Sequence, residues 1–183
     1  DVFAYATDDA FAGGGAGDLA FLQDVSLFGG ARARLFAGVG QDVSVGGDAL
    51  VSAARDSDPL GSDVTGGEAL AFAETGGTLT VTGNLTVDAS GSGEESGYGD
   101  LGDGTGGTAG VYADGGTVVV SGDLNVFANG NGAGAPYSYA DGGAGTGGTA
   151  FVEATNGGSG SVTGNAVILA HGTGGGSSYT PGD

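Results

Sequence analysis

Residues 78–89 read TLTVTGNLTVDA, and the same pattern of residue types returns 39 positions later as TVVVSGDLNVFA at residues 117–128. A third copy, SVTGNAVILA, occupies residues 161–170, and an earlier one, SVGGDALVSA, occupies residues 44–53. In residues 78–89, apolar and polar residues alternate on both sides of a Gly-Asx pair. Because successive side chains of a strand point to opposite faces, this alternation predicts one β-strand before the pair and another after it.

A second, Ala-rich element recurs at the same period. Its copies are GEALAFA at 67–73, GTAGVYA at 107–113 and GTAFVEA at 148–154. The alternation predicts a third strand per repeat, with small Ala side chains on its inner face. On its outer face we expect a series of aromatic side chains, extended at the N-terminus by a weaker copy over residues 2–6: Phe3, Tyr5, Phe72, Tyr112 and Phe151.

Three short strands in each repeat of about 40 residues are typical of a parallel β-solenoid (β-helix), in which every coil stacks on the next. We therefore predict an all-β fold with about 40 residues per coil, three short strands and a long Gly-rich loop. The predicted core stacks Val81, Leu85, Val87 and Ala89 on Val120, Leu124, Val126 and Ala128. The chain reads as a single solenoid segment over 1–183, with a degenerate coil at 1–40 and successive coils at 41–77, 78–116, 117–158 and 159–183, the last incomplete.

The Gly-Asx pairs are expected to form a stacked row at one corner of the solenoid. Gly would supply the unusual backbone angles of the corner, and the Asp and Asn side chains would cap backbone groups or form a ladder. The predicted members are Gly17, Asp18, Gly47, Asp48, Gly83, Asn84, Gly122, Asp123, Gly164 and Asn165.

Composition excludes several classes of protein. The chain has 45 Gly among 183 residues, which disfavours helix because each interior Gly costs about 0.5–1 kcal/mol relative to Ala. The formal charge is −19, with three Arg and no Lys, which argues against binding of nucleic acid or of an anionic membrane. No apolar run is long enough for a transmembrane segment, and the absence of Cys removes disulfides and thiol chemistry.

The Gly-rich segments carry most of the candidate binding residues. Acidic side chains there are candidate calcium ligands, since hard cations prefer carboxylate and carbonyl oxygens: Asp56, Asp58, Asp63, Glu94, Glu95, Asp100 and Asp103. No calcium-loop consensus is present, so the alternative is a solvated acidic surface, and no cofactor is expected to be required. The candidate contact aromatics are Tyr98, Tyr112, Tyr137, Tyr139 and Phe151.

Catalysis is not expected. Solenoid enzymes that act on acidic polysaccharides need basic residues beside clustered carboxylates, and this chain has no Lys. The single His, His171, has no partner motif for nucleophilic catalysis or zinc binding. Arg32 and Arg34 alternate with Ala on a predicted strand, where we expect cation–π contacts with Tyr5 and Phe72 of neighbouring coils.

The pattern GGT-x-x-V-x-G-N/D-L-x-V-x-A, followed by a Gly-rich stretch and GTGGTA, resembles the repeats of large secreted or cell-surface bacterial proteins of the filamentous-haemagglutinin type. The resemblance covers residues 41–183 well and 1–40 loosely. It implies a structural repeat segment of an extracellular bacterial surface fibre, matrix filament or adhesin, assembling with copies of itself or with adjoining repeats of the same parent chain. The alternative is a module that binds a polysaccharide, a host surface or calcium through its acidic, Tyr-bearing loops.

Overall fold

The computed structural model describes residues 2–14, 17–56, 62–94, 101–135 and 141–176. These residues form 23 β-strands and contain no helix. Alternation of apolar and polar residues explains the strands, because every second side chain of the clearest repeats is buried. The predicted all-β parallel solenoid is therefore confirmed.

The strands follow one another in coils around a common axis. The first coil contains β1 (Val2–Ala6), β2 (Asp9–Gly13) and β3 (Leu19–Phe21), and the second contains β4 (Val25–Gly29), β5 (Arg32–Ala37) and β6 (Asp42–Val45). The third contains β7 (Ala49–Ser52), β8 (Arg55–Asp56), β9 (Val64–Thr65), β10 (Glu68–Ala73) and β11 (Thr78–Val81). The fourth contains β12 (Leu85–Asp88), β13 (Gly91–Ser92), β14 (Gly104–Thr105), β15 (Thr108–Asp114) and β16 (Thr117–Val120). The fifth contains β17 (Leu124–Phe127), β18 (Gly130–Asn131), β19 (Gly145–Thr146), β20 (Thr149–Thr155) and β21 (Ser159–Val162), and β22 (Ala166–Leu169) and β23 (Gly172–Thr173) lead into a sixth.

Equivalent strands of successive coils pair in parallel and build five sheets. Sheet A contains β1, β4, β7, β12, β17 and β22; sheet B contains β2, β5, β10, β15 and β20; sheet C contains β3, β6, β11, β16 and β21. The two smaller sheets are sheet D, with β8, β13, β18 and β23, and sheet E, with β9, β14 and β19. Sheets A, B and C enclose the core.

Coil length changes along the chain. Val2 pairs with Val25 and Val25 with Ala49, so the first two coils advance by only 23 and 24 residues. The next three advance by 36, 39 and 42 residues. The prediction of one degenerate coil over 1–40 was therefore wrong. Two short coils, β1–β3 and β4–β6, occupy residues 2–45, and their described residues add no strand to sheets D and E.

The core consists of columns of like side chains along the solenoid axis. Four inward residues of one coil are completely buried: Val81, Leu85, Val87 and Ala89. Their partners in the next coil are at most 1% exposed: Val120, Leu124, Val126 and Ala128. Ala69, Ala71 and Ala73 are also inaccessible to solvent. Each buried Val or Leu contributes about 1.5–3 kcal/mol through removal of apolar surface from water. The predicted inward set is confirmed.

The described parts of the Gly-rich segments carry the short strands of sheets D and E, which lie side by side. The two backbones are so close that a Cβ on Gly91 would lie 2.1 Å from the carbonyl oxygen of Thr105. Where sheets D and E meet the rest of the coil, Gly107 N–H donates a hydrogen bond to Ala89 O at 2.7 Å. Glycine is required here because any side chain between the sheets would meet backbone.

The N-terminal strand β1 does not belong to the Ala-rich series. It pairs with β4 in sheet A, whereas the Ala-rich strands form sheet B. Phe3 and Tyr5 consequently lie beside Ser26 and Phe28 and remain 68% and 73% exposed. Their predicted place in the sheet B aromatic series was wrong.

Candidate functional site

A row of Asp and Asn side chains follows the corner between sheets C and A, one in each coil. The side-chain Oδ1 atom of each accepts a hydrogen bond from the backbone N–H of the next. The distances are 2.9 Å from Asp48 N to Asp24, 2.7 Å from Asn84 N to Asp48, 2.9 Å from Asp123 N to Asn84 and 2.7 Å from Asn165 N to Asp123. We call this set the Asx ladder; its contacts are structural, because it caps backbone groups between coils.

The first member of the ladder is Asp24, and Gly17 and Asp18 lie elsewhere. Asp18 precedes β3, and its Oδ1 accepts from Asp42 N–H at 3.1 Å at the start of β6. The Gly17-Asp18 pair resembles the later Gly-Asx pairs in sequence, and its predicted place in the corner row was wrong. The first two coils are shorter than the repeat of about 40 residues on which that prediction was based.

The glycines of the ladder are needed for close approach rather than for unusual backbone angles. A Cβ on Gly83 would lie 2.2 Å from Asp48 Oδ1, and one on Gly164 would lie 2.3 Å from Asp123 Oδ1. The left-handed backbone occurs instead at the corner between sheets B and C, where φ is 66° at Gly40, 71° at Gly76 and 67° at Gly115. The predicted role of Gly47, Gly83, Gly122 and Gly164 is corrected accordingly.

Two of the described acidic candidates cap backbone groups of a neighbouring coil. Asp63 Oδ1 accepts from Asp103 N–H at 3.0 Å, and Asp103 Oδ1 accepts from Ala144 N–H at 2.6 Å. Asp56 lies in β8, and the carbonyl oxygen of Glu94 accepts from Gly102 N–H at 3.3 Å. Asp58, Glu95 and Asp100 lie outside the described residues. Within the ranges that the structure describes, no three Asp, Glu, His or Cys side chains are grouped to hold a metal ion.

Aromatic rings form a column on the outer face of sheet B. Phe36 and Phe72 stack at 5.0 Å between centroids and 10° between planes, Phe72 and Tyr112 at 4.7 Å and 4°, and Tyr112 and Phe151 at 6.4 Å and 26°. Phe151 is paired with Gly110 in register, and its ring occupies the space where a Cβ of Gly110 would lie. Phe72 is only 6% exposed.

This stacking limits what the column can bind. The faces of Phe72 are covered by Phe36 and Tyr112, so its ring is not free to stack on a sugar. Burial raises the pKa of the Tyr112 hydroxyl, with Arg34 opposing the shift and nearby carboxylates adding to it. The other candidate contact residues, Tyr98, Tyr137 and Tyr139, lie outside the described residues.

Arg32 and Arg34 make ion pairs on the same face. Arg32 binds both carboxylate oxygens of Asp9, at 3.0 and 2.8 Å, which raises the pKa of Arg32. Arg34 Nε donates to Glu68 Oε1 at 2.9 Å, and its guanidinium lies 5.9 Å from the ring centroid of Phe11. The predicted partners Tyr5 and Phe72 were wrong, because Arg34 is in register with Phe11 and Leu70.

The last coil exposes residues that occupy core columns elsewhere. Val152 and Ile168 are 48% and 43% exposed. Gly160 stands where earlier coils have Val43, Leu79 and Val118. An apolar depression of about 270 Å³ lies beside Gly160 and reaches Val118, Val120 and Leu124.

Sequence reasoning did not identify this surface, although one signal was available. The third copy of the repeat reads SGSV at residues 159–162, where the two copies before it read TLTV and TVVV. A Gly at the first apolar position of the strand therefore marked a gap in the core.

The described residues contain no helix long and apolar enough to cross a membrane. No protein-family model, curated protein or solved structure matches this chain.

Proposed function

We propose that this chain is a non-enzymatic structural segment of an extracellular bacterial surface fibre, matrix filament or adhesin. The observation that carries the proposal is the use of polar side chains between coils. The Asx ladder, Asp63 and Asp103 all cap backbone groups of a neighbouring coil. These Asp and Asn side chains thus join neighbouring coils to one another.

The surface chemistry supports the same proposal. The formal charge of −19 favours solubility of a protein with exposed strand edges. The outer aromatic residues stack along the solenoid axis and thereby brace successive coils. The resemblance of the repeat pattern to filamentous-haemagglutinin-type proteins supports an extracellular location.

Binding measurements test this function against a ligand-binding module. The purified chain is applied to a glycan array and titrated with calcium by calorimetry, with chelator-treated protein as the reference. A structural segment shows no saturable glycan binding and no stoichiometric calcium binding. Saturable binding of either would contradict the proposal and favour the acidic, Tyr-bearing segments as a binding site.

Location is tested separately. Antibodies raised against the purified chain are expected to label intact bacteria that produce the protein. Label that appears only after the cells are permeabilised would contradict a surface or matrix role.

A further inference from the structure

We propose that the outer face of sheet C is an ice-binding surface. The inference goes beyond the structural function proposed above, because it assigns a solid partner, the surface of an ice crystal, to one outer face of the solenoid. It shares with that function the extracellular location, where a bacterial surface protein meets growing ice.

Short hydroxyl side chains form rows across this face. Strands β6, β11, β16 and β21 pair in parallel without a bulge, so every second residue lies outward and in register with its neighbours. The middle row contains Ser44, Thr80, Val119 and Ser161. The row before it contains Asp42, Thr78, Thr117 and Ser159. Thr117 Oγ1 and Ser159 Oγ lie 3.2 Å apart, so the side chains of neighbouring coils are aligned along this row.

A third row continues the alternation one residue beyond the strands. Its members are exposed, and the backbone N–H of each donates to the preceding coil, at 2.9, 2.9 and 3.0 Å. These members are Thr82, Ser121 and Thr163. In the third, fourth and fifth coils the three rows thus have nine positions, of which eight are Ser or Thr. The ninth is Val119, a β-branched residue with the shape of Thr.

These nine positions are uncharged, although the chain as a whole is strongly acidic. The formal charge is −19, yet the rows of the third to fifth coils contain only Ser, Thr and Val. A charged side chain would lose its hydration shell against a solid, which is costly, whereas an uncharged face complements an uncharged lattice of water molecules. The same nine positions carry no aromatic ring, so this face offers nothing on which a sugar could stack.

The spacing of the rows is close to the spacing of water molecules in ice. Neighbouring strands lie about 4.8 Å apart, and alternate residues of one strand lie about 6.6 Å apart. Water molecules joined tetrahedrally by hydrogen bonds of about 2.75 Å place next-nearest oxygens about 4.5 Å apart and repeat about every 7.3 Å along the hexagonal axis. The difference of about 0.3 Å per coil accumulates to about 0.6 Å from the third coil to the fifth. Hydroxyl and methyl groups in these rows can therefore order a layer of water that an ice lattice continues.

Incorporation into growing ice tests the proposal. A dilute solution of the purified full chain is frozen slowly on a cold surface, and the protein concentration is measured in the ice and in the remaining liquid. Growing ice excludes an ordinary solute, whereas the wild type is expected to be enriched in the ice. A seeded crystal in the same solution should also freeze at a lower temperature than it melts.

A pair of matched substitutions separates this face from the rest of the molecule. Thr80→Lys places a long, charged side chain at the centre of the rows and is expected to lower the enrichment in ice at least fivefold. Thr86→Lys is the control, because Thr86 is an outward, half-buried Thr on sheet A, and it should enter ice like the wild type. Val119→Thr keeps the shape of the side chain and should retain the full enrichment.

The outcomes distinguish this face from the structural function. Circular dichroism verifies that each variant keeps its β structure; Ser161→Lys, at an exposed position of the same row, replaces Thr80→Lys if that variant unfolds. Exclusion of the wild type from ice, or equal enrichment of Thr80→Lys and Thr86→Lys, would overturn the ice-binding surface. Exclusion leaves the structural function intact, whereas saturable binding of a glycan or of calcium would overturn that function and leave the ice-binding surface intact.

Discussion

The backbone N–H of Asn84 donates a 2.7 Å hydrogen bond to the Oδ1 atom of Asp48, one coil earlier in the solenoid. Asn84 in turn accepts from Asp123 N–H at 2.9 Å, so each residue of the ladder is both donor and acceptor. Charge on the acceptor is not essential, because Asn84 performs the same role as Asp48. The ladder therefore joins coils through the side-chain oxygens of both Asp and Asn.

Removing one acceptor from the ladder should destabilise the solenoid modestly. Asn84→Ala leaves Asp123 N–H without its partner and should lower the free energy of unfolding by about 1 kcal/mol. Urea denaturation followed by circular dichroism measures the change. Asn165→Ala, in the last described coil of the ladder, is the control and should cost less. Equal losses for both variants would contradict a role for the ladder in joining coils.

A methyl group added beside the ladder should cost more than one added where the backbone has open space. Gly83→Ala places a Cβ 2.2 Å from Asp48 Oδ1 and 2.7 Å from Gly47 O, so the strand must shift, at a cost of about 1–3 kcal/mol. A Cβ on Gly160 meets no atom within 4 Å, and Gly160→Ala should be nearly neutral. The comparison is made by thermal unfolding of the two variants and the wild type. A neutral Gly83→Ala would contradict the close approach of the coils.

The core columns predict a strong dependence on inward residues. Leu85 is completely buried between Ala49 and Leu124, and Leu85→Ala should cost about 2–5 kcal/mol through cavity formation. Thr86→Ala, at the neighbouring outward position, should change stability by no more than about 0.5 kcal/mol. The free energies of unfolding in urea provide the test. Similar losses of stability for Leu85→Ala and Thr86→Ala would contradict the assignment of Leu85 to the core face of β12.

The aromatic column predicts a pH dependence at the alkaline end. Burial raises the pKa of Tyr112 above its ordinary value of 10.0, so the unfolded chain releases this proton first. The stability that the protonated Tyr112 hydroxyl contributes is fully present below its pKa in the unfolded chain. This stability is lost as the pH rises through its pKa in the folded protein. Tyr112→Phe should therefore show a shallower loss of stability above pH ~10 than the wild type. Identical alkaline profiles would contradict the burial of this hydroxyl.

The elements that were predictable from sequence are those with strong local periodicity. The strands around Val81 and Leu85 and the Ala-rich strand at Ala69–Ala73 carry alternation that determines which face is buried. The repeat of about 40 residues predicted the stacking of coils, because residues of the same type that recur at one period occupy equivalent positions in successive coils. The columns of Val and Leu confirm this inference.

The elements that were missed depend on register between coils. Nothing local in VFAYA at residues 2–6 distinguishes sheet A from sheet B; the pairing of Val2 with Val25 decides it. Similarly, Arg34 contacts Phe11 because of backbone pairing 23 residues apart, which a 40-residue repeat misaligns. The Asx ladder begins at Asp24 for the same reason, as its place depends on the length of the first two coils.

Thermal unfolding of the purified wild-type chain, in calcium-containing buffer and again with chelator, tests the central claim most directly. Coils that are joined by their own side chains, as in the Asx ladder, predict the same unfolding temperature in both buffers. An unfolding temperature that falls when chelator replaces calcium would contradict a structural segment whose coils need no ligand.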